Sequence, residues 1–415
     1  MAWGMRSDMI VHTAEPLNAE PPPARLCEDG LTSAGTFYVR NHGPVPEIPP
    51  DSWRLCVSGL VARPFELSLA DLRHRFACHE VVAVLECAGN RRAELMRVRD
   101  VPGEEPWGPG AVGNARWAGA RLADVLATAG IGDGAAHVAF QAPDICGQAS
   151  PPQPFGASIP LVKALSSEVL LAYAMNGQPL PQVHGAPVRV VVPGYIGARS
   201  VKWVEQVMVQ AEPSVNFFQT SYRLLPADAD PSGPAGGFTL GPLAVNAAIL
   251  TPGEGMTVPV GAVIIAGYAL AGEHRHVARV DISADAGRTW HQATLDQEDS
   301  PWSWRRWRAT IDLAAGQADI AVRAWDNGAN VQPGSEADLW NPKGYVNNAW
   351  ARLRLTVVLG FRGGNNNRAD ACVGEDLQEK RVRQSAVQHV RLRNAAVDGP
   401  QACLHLGKHA RAQAG

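Results

Sequence analysis

The stretch that decides the reading is Val81 to Glu94, VVAVLECAGNRRAE. Val81 to Leu85 is an unbroken apolar run and reads as a buried strand. A cysteine stands at its carboxyl end, a small-residue turn (Ala88-Gly89-Asn90) follows, and then two arginines. In open α/β sheets ligands collect at the carboxyl ends of strands, and a glycine there lets the backbone come close to them. Cys87 is therefore placed like a site residue. Its neighbours Arg91 and Arg92 are expected to lower its pKa and favour the thiolate, the nucleophilic and soft-metal-binding form. The spacing leaves a second reading open, that of an inert cysteine buried behind an apolar strand.

Outward from this stretch, Leu69 to Phe76 reads as a helix with Ser68 as N-cap, and Gly119 to Ala129 as a second helix with Leu122, Val125 and Leu126 on its apolar face. Val188 to Val192 is another buried strand. Pro193-Gly194 ends it, and strand-like alternation resumes from Val201. Residues 1–35, rich in proline and polar residues, read as an extended arm over a mixed α/β domain at 36–225. The composition then shifts to PADADPSGPAGG, a linker assigned to 226–240. Beyond it, VIIAGYAL, VARVDIS, DAGRTWHQATL, WSWRRWRATIDL and DIAVRAWD are strands punctuated by Ala286-Gly287 and Asn327-Gly328. This is the pattern of an all-β, immunoglobulin-like sandwich at 241–360. Trp302 and Trp304, two apart, are expected on one face of a strand and in its core. The tail 361–415 carries nine Lys/Arg against five Asp/Glu, has little periodicity, and reads as a disordered appendage.

At roughly 150 residues per domain, 415 residues predict two or three domains. With 46% hydrophobic and 19% charged residues the chain can bury a sizeable core, which excludes global disorder. Forty-one glycines and thirty-two prolines favour short strands and turns over long helices. A net charge of −3 recommends neither nucleic acid nor an anionic membrane as partner, so an anionic small molecule needs a local basic site. Seven cysteines without a C-x-x-C pair signal neither a zinc site nor a disulfide framework, and a reducing compartment fits best. Met1 to Pro23 shows no signal-peptide pattern or twin arginine, and no membrane-length apolar run is seen, so the cytoplasm is the default expectation, or the periplasm if the start is truncated.

Basic residues recur in compact loops flanked by glycine or proline: Arg40 to Pro44, His184 to Arg189, and Gly197 to Lys202. Guanidinium forks, ammonium groups and exposed backbone amides are what a phosphate or other oxyanion requires. Together they point to an anionic cofactor and an anionic substrate.

These segments, quoted as FYVRNHGPVP (37–46), ECAGNRR (86–92), NARWAGARLADVL (114–126), LLAYAMNGQPLP (170–181) and HGAPVRVVVPGYIGARSVKW (184–203), resemble the sulfite oxidase family of molybdenum enzymes. So do RVDISADAGRTW, NVQP and WNPKGYVNNAW farther on. The resemblance is collinear from about Pro16 to Val358. It implies an α+β protein: a mixed α/β molybdopterin-binding domain followed by the immunoglobulin-like domain through which the family usually dimerises. Cys87 then matches the thiolate that binds molybdenum. Tyr38, Val39, Arg40, Asn41, His42, Asp144, His184, Arg189, Ser200, Val201 and Lys202 match positions that hold the pterin and its phosphate. Arg40, Arg92, Trp107, Tyr222 and Lys343 match the sulfite pocket, with Lys343 standing where animal and plant members carry arginine. The segment between Cys87 and Trp107 is one residue longer than in those members, so Trp107 is matched by its neighbourhood.

The implied reaction is the two-electron oxidation of sulfite to sulfate, in a homodimer, with electrons passed to a separate acceptor, oxygen or a cytochrome c-type protein. No C-x-x-C-H haem motif is visible. The alternatives are a related molybdenum reductase of nitrate or sulfoxides, and a cofactor-free binding protein. Neither nucleic acid nor a membrane is an expected partner.

Overall fold

A computed structural model describes residues 2–230 and 236–360. The expected tail, and part of the expected linker, lie outside the described residues. The chain opens with a hairpin, β1 (Ile10–Ala14) and β2 (Leu17–Glu20), rather than the extended arm expected for residues 1–35. The hairpin is tied to the first domain at Ala19, which exchanges backbone hydrogen bonds of 2.9 and 2.8 Å with Val39. The buried Glu20 carboxylate accepts the Gly108 and Gly110 amides at 2.6 and 2.8 Å and lies 2.8 Å from His12 Nε2. A Cβ on Gly110 would stand 2.6 Å from the Pro21 carbonyl, so only glycine allows this approach.

Glu20→Ala leaves both amides buried without an acceptor. The expected cost is about 2 to 4 kcal/mol, read as a fall of the calorimetric unfolding midpoint by several degrees. An unchanged midpoint would show that the hairpin is dispensable.

The first domain holds two five-stranded sheets. Its elements in order are β3 (Arg54–Gly59), β4 (Phe65–Ser68), α1 (Leu69–Arg75), β5 (Cys78–Glu86), α2 (Arg92–Val98), β6 (Val112–Arg121), α3 (Leu122–Ala129), β7 (His137–Cys146), β8 (Gln153–Pro160), α4 (Leu161–Ala164), β9 (Leu170–Met175), β10 (Gln178–Pro179), β11 (Arg189–Val191), β12 (Gln206–Gln210) and α5 (Phe217–Ser221). One sheet runs β10-β9-β6-β5, with β11 also on β9; the other runs β4-β3-β12-β7-β8. Ser68 caps α1 as expected, in a reciprocal capping box with Asp71.

Two local expectations give way to pairing. Gly119–Arg121 belongs to β6, not to a helix, because these residues pair with Leu170–Ala172; the helix begins only at Leu122. A Cβ on Gly119 would meet the Leu171 carbonyl at 2.1 Å, so the glycine marks a strand bulge. Val201, Trp203 and Val204 are buried but irregular, with Val190 N bonded to Val201 O (2.8 Å) and Val204 N to Val188 O (3.1 Å), and the regular strand starts at Gln206.

After β13 (Arg223–Leu224) and β14 (Phe238–Thr239) comes the second domain: β15 (Asn246–Thr251), β16 (Thr257–Pro259), β17 (Gly261–Leu270), β18 (Val277–Ser283), β19 (His291–Gln292), β20 (Thr294–Leu295), β21 (Arg305–Leu313), β22 (Gly316–Asp326) and β23 (Ala351–Val358). Sheets β15-β17-β21-β20 and β16-β23-β22-β18-β19 close on one apolar core that includes Ile265, Trp307, Ile282, Val322 and Leu355, which makes the expected sandwich. Trp302 and Trp304 precede β21 in a turn instead of lying on a strand. Trp304 is buried and stacks on Tyr268, centroids 5.3 Å apart, while the Trp302 carbonyl accepts Val84 N of β5 at 2.9 Å. That contact joins the sheet of β5 to the second domain. Among the described residues no helix is long and apolar enough to cross a membrane.

Candidate active site

β5 becomes fully buried along its second half, from Val82 to Glu86, and delivers Cys87 to the wall of a cavity of about 680 Å³, its open mouth included. The Gly89 amide donates to Cys87 Sγ at 3.4 Å. Cys87 is a free thiol whose pKa is raised: burial outweighs the opposing fields of Arg92 and Arg40. The expectation that Arg91 and Arg92 would favour the thiolate is therefore corrected. Arg91, with φ of 63°, turns away from the thiol. Its guanidinium bonds Asn246 Oδ1 (2.8 Å), the carbonyls of Ala247 (3.0 Å) and Ala349 (2.9 Å), and Glu94.

Arg92 is threaded between two glycines. A Cβ at Gly89 would lie 2.4 Å from its guanidinium, and one at Gly344 2.6 Å from its Cγ. It donates to the carbonyls of Lys343 (3.1 Å), Gly344 (3.2 Å) and Glu105 (2.9 Å), and Nη2 lies 3.3 Å from Glu104 Oε2.

Of the residues singled out from the sequence, Tyr38, Arg40, Asn41, His42, Cys87, Asp144, His184, Arg189, Ser200, Lys202 and Tyr222 line the cavity together. Val39 and Val201 do not: both side chains are buried in the core, and their backbones pair with Ala19 and Val190. Arg92, Trp107 and Lys343 stand behind or beside the cavity rather than on its lining. Trp107 is fully buried, packs in the same apolar cluster as Cys87, and meets the His12 ring edge-on at 4.8 Å. The Lys343 ammonium lies 3.6 Å from Glu104 Oε1.

Sequence reasoning missed several participants. Phe155 and Trp203 also line the cavity. Asn18, from the hairpin, accepts the Arg40 guanidinium (3.2 Å) and the Asn41 amide (2.8 Å). Tyr345 stacks on Tyr222, centroids 5.2 Å apart. Glu104 and Asn18 carry no local signal, because only long-range packing sets them against their partners.

Three cations of the cavity have neutral direct partners. Arg189 donates to the carbonyls of His184 (3.0 Å) and Ser200 (2.9 Å), Lys202 to Val183 O (3.2 Å) and to the Asn41 side chain, and Arg40 to Asn18 and Asn41 O. Burial holds Arg189 down at about 10 and Lys202 well below the usual ammonium range. His184 is lowered to about 3, chiefly by burial, and His42 lies well below 6.5 through burial and the nearby Arg40. Both imidazoles are neutral; His42 Nε2 lies 2.8 Å from the Tyr222 hydroxyl, itself raised by burial. Asp144, raised to about 6 by burial, has Oδ1 without a hydrogen-bond partner.

Buried cations hydrogen-bonded to neutral groups, beside a carboxylate oxygen without a hydrogen-bond partner, suit a ligand with both an anionic end and N–H donors, which is the donor pattern of a pterin phosphate. Among the described residues there is no cluster of three or more His, Cys, Asp or Glu able to hold a metal ion. The cavity wall carries the Cys87 thiol.

The comparisons agree with this geometry. Residues 42–218 match the oxidoreductase molybdopterin-binding domain, and 239–358 the Mo-co oxidoreductase dimerisation domain. The chain is 45% identical to the mitochondrial sulfite oxidase of Rattus norvegicus over 84% of its own length and 65% of that protein's, so it spans somewhat less than two thirds of that relative. It is 40% identical to the sulfite oxidase of Arabidopsis thaliana, over 84% of this chain and 93% of the plant protein. Its fold superposes on the sulfane dehydrogenase SoxCD from Paracoccus pantotrophus with a TM-score of 0.71 at 27% identity, covering 83% of this chain and 85% of that one. Fold and cavity together define a two-domain molybdopterin oxidoreductase. Within that class, the chain belongs to the sulfite oxidase family.

Proposed function

We propose that the protein oxidises sulfite to sulfate with a molybdenum-molybdopterin cofactor and hands the electrons to a separate acceptor, oxygen or a cytochrome c-type protein. The observation that carries this is a buried cysteine thiol lying in the fields of both Arg40 and Arg92 at the wall of a cation-lined cavity. Cys87 would bind the metal. Arg189, Lys202, His184, Ser200, Asn41 and Tyr38 would hold the pterin and its phosphate, with Asp144 accepting from the pterin's N–H groups. When bound, the cofactor supplies the two-electron redox chemistry.

The protein's part is binding, orientation and proton handling. Arg40, Arg92 and Lys343 offset the charge of sulfite and orient it, while Trp107 closes the wall behind them. The Tyr222 hydroxyl, paired with the neutral His42, is placed to move a proton at its oxygen as product leaves and water enters. The family's dimerisation domain and the apolar sandwich support a homodimer built through 241–360. The cytoplasm stays the proposed compartment, and the chain's own share of the electron path carries no haem. The experiment is sulfite-dependent reduction of ferricyanide, cytochrome c and oxygen, measured in parallel on molybdenum-replete protein. No turnover with any acceptor would refute the reading.

Lys343 places a compact ammonium where an arginine fork could grip two oxygens. Lys343→Met is expected to lower kcat/KM for sulfite by about 5- to 150-fold, mainly through KM, since it removes a cation partner worth about 1 to 3 kcal/mol. Lys343→Arg is expected to stay within about tenfold of the parent. An unchanged kcat/KM in Lys343→Met would remove this residue from the substrate pocket.

A further inference from the structure

Glu104 spans the two outer cations with its two oxygens: Oε2 lies 3.3 Å from Arg92 Nη2 and Oε1 3.6 Å from Lys343 Nζ. Both separations exceed the roughly 2.7 to 2.9 Å of a tight charge-assisted hydrogen bond, so the carboxylate is held loosely. Arg92 cannot follow it, because its guanidinium is fixed by three carbonyls and confined by Gly89 and Gly344. Glu104 itself sits between Gly103, at φ of 76°, and Glu105 on the loop that leads to Trp107. Glu105 is tied to Arg92 at 2.9 Å and to Asn18 at 3.3 Å, but a Cβ at Gly103 would meet nothing within 4 Å, which leaves open space beside Glu104. Its side chain is only 16% exposed, yet its field reaches Cys87, Tyr222, Tyr345 and Arg40. A carboxylate facing two substrate-binding cations has the charge and the paired oxygens of the oxyanion those cations await.

We propose that Glu104 is the built-in counter-ion of the sulfite pocket, a specificity-determining residue that an incoming dianionic oxyanion displaces from Arg92 and Lys343 and that returns as sulfate leaves. The inference rests on the sulfite reading of the site. Its consequence is that Glu104 weakens the binding of substrate and product alike and so keeps sulfate from occupying the pocket. Without it, the two cations are uncompensated and hold a dianion more tightly.

The test measures inorganic sulfate binding to the purified holoenzyme by calorimetry, alongside steady-state sulfite kinetics. Glu104→Gln keeps the shape and removes the charge. Sulfate is expected to bind about 5- to 30-fold tighter and the KM for sulfite to fall by a similar factor, with kcat lowered as release slows. Glu104→Asp, which restores the charge, is expected to return sulfate affinity to within about threefold of the parent. Glu104→Ala should tighten sulfate binding as Gln does, so the test survives poor folding of either neutral variant. A purely structural role would instead weaken sulfate binding in all three.

Unchanged or weaker sulfate binding in folded neutral variants, or tight binding by the Asp variant, overturns the proposal. The calorimetry needs no turnover. Tightened sulfate binding in a holoenzyme that does not oxidise sulfite counts against the proposed reaction and for the counter-ion, and normal turnover with unaltered sulfate affinity does the reverse.

Discussion

Cys87→Ser is expected to abolish sulfite oxidation while leaving the fold intact. The side chain sits at the end of β5, 8% exposed, with the Gly89 amide at 3.4 Å. A serine fits that space and can accept the same amide, so the packing loses little. The chemistry does not survive. Burial raises the Cys87 thiol, a metal cation would favour its thiolate, and a serine hydroxyl is far less acidic and a harder donor. On the proposed reading the cavity's cations still hold the pterin, so cofactor is expected in the purified variant. The measurements are molybdenum and pterin content, the unfolding midpoint, and turnover with ferricyanide. Near-normal turnover by a metal-replete serine variant would refute Cys87 as the metal ligand.

Arg91→Met is expected to be among the most destabilising single substitutions in the chain. The Arg91 guanidinium is 0% exposed and donates to Asn246 Oδ1, Ala247 O, Ala349 O and Trp350 O of the second domain while pairing with Glu94 at 2.7 Å. Methionine fills much of the volume and meets the same positive φ as arginine, so backbone strain is unchanged. The carbonyls lose their donors and Glu94, itself largely buried, loses its counter-charge. Breaking a buried pair in this way costs about 3 to 5 kcal/mol. Calorimetry should show a midpoint lowered by many degrees, with activity lost in step with the folded fraction. Arg91→Lys keeps the charge but can supply at most three donors, and is expected to fall between. A midpoint within about 2 °C of the parent would show that Arg91 does not clamp the domains.

Arg91 and Arg92 also show how the local reading of this chain stops. As adjacent basic residues beside a cysteine they look equivalent, and both were expected to act on the thiol. The left-handed backbone at Arg91 sends it to the second domain, and only Arg92 stays in the site. Likewise the sign of the cysteine's pKa shift follows from burial depth, a property of the whole fold, rather than from which charges are neighbours in sequence.

What the sequence determined by itself was whatever repeats over a few residues. Alternation and apolar runs placed β5 and, in the second domain, β17, β18, β21 and β22, Ser68 announced the start of α1, and the small-residue turn after Val81 to Leu85 located Cys87. The basic loops 40–44, 184–189 and 197–202 do converge on one cavity, because loop glycines and arginines carry their chemistry in their identity. The tertiary structure alone decided the rest. Gly119–Arg121 joined a strand because β9 was there to pair with it, and Trp302 and Trp304 moved into a turn that links the domains. The N-terminal segment folded into a hairpin whose Asn18 and Glu20 brace Arg40 and the loop around Trp107. Glu104 met Arg92 and Lys343, the latter more than two hundred residues away in the chain. Hydrogen-bond propensity and hydrophobic period act between near neighbours. Desolvation, strand pairing and charge pairing depend on partners that only the closed chain brings together.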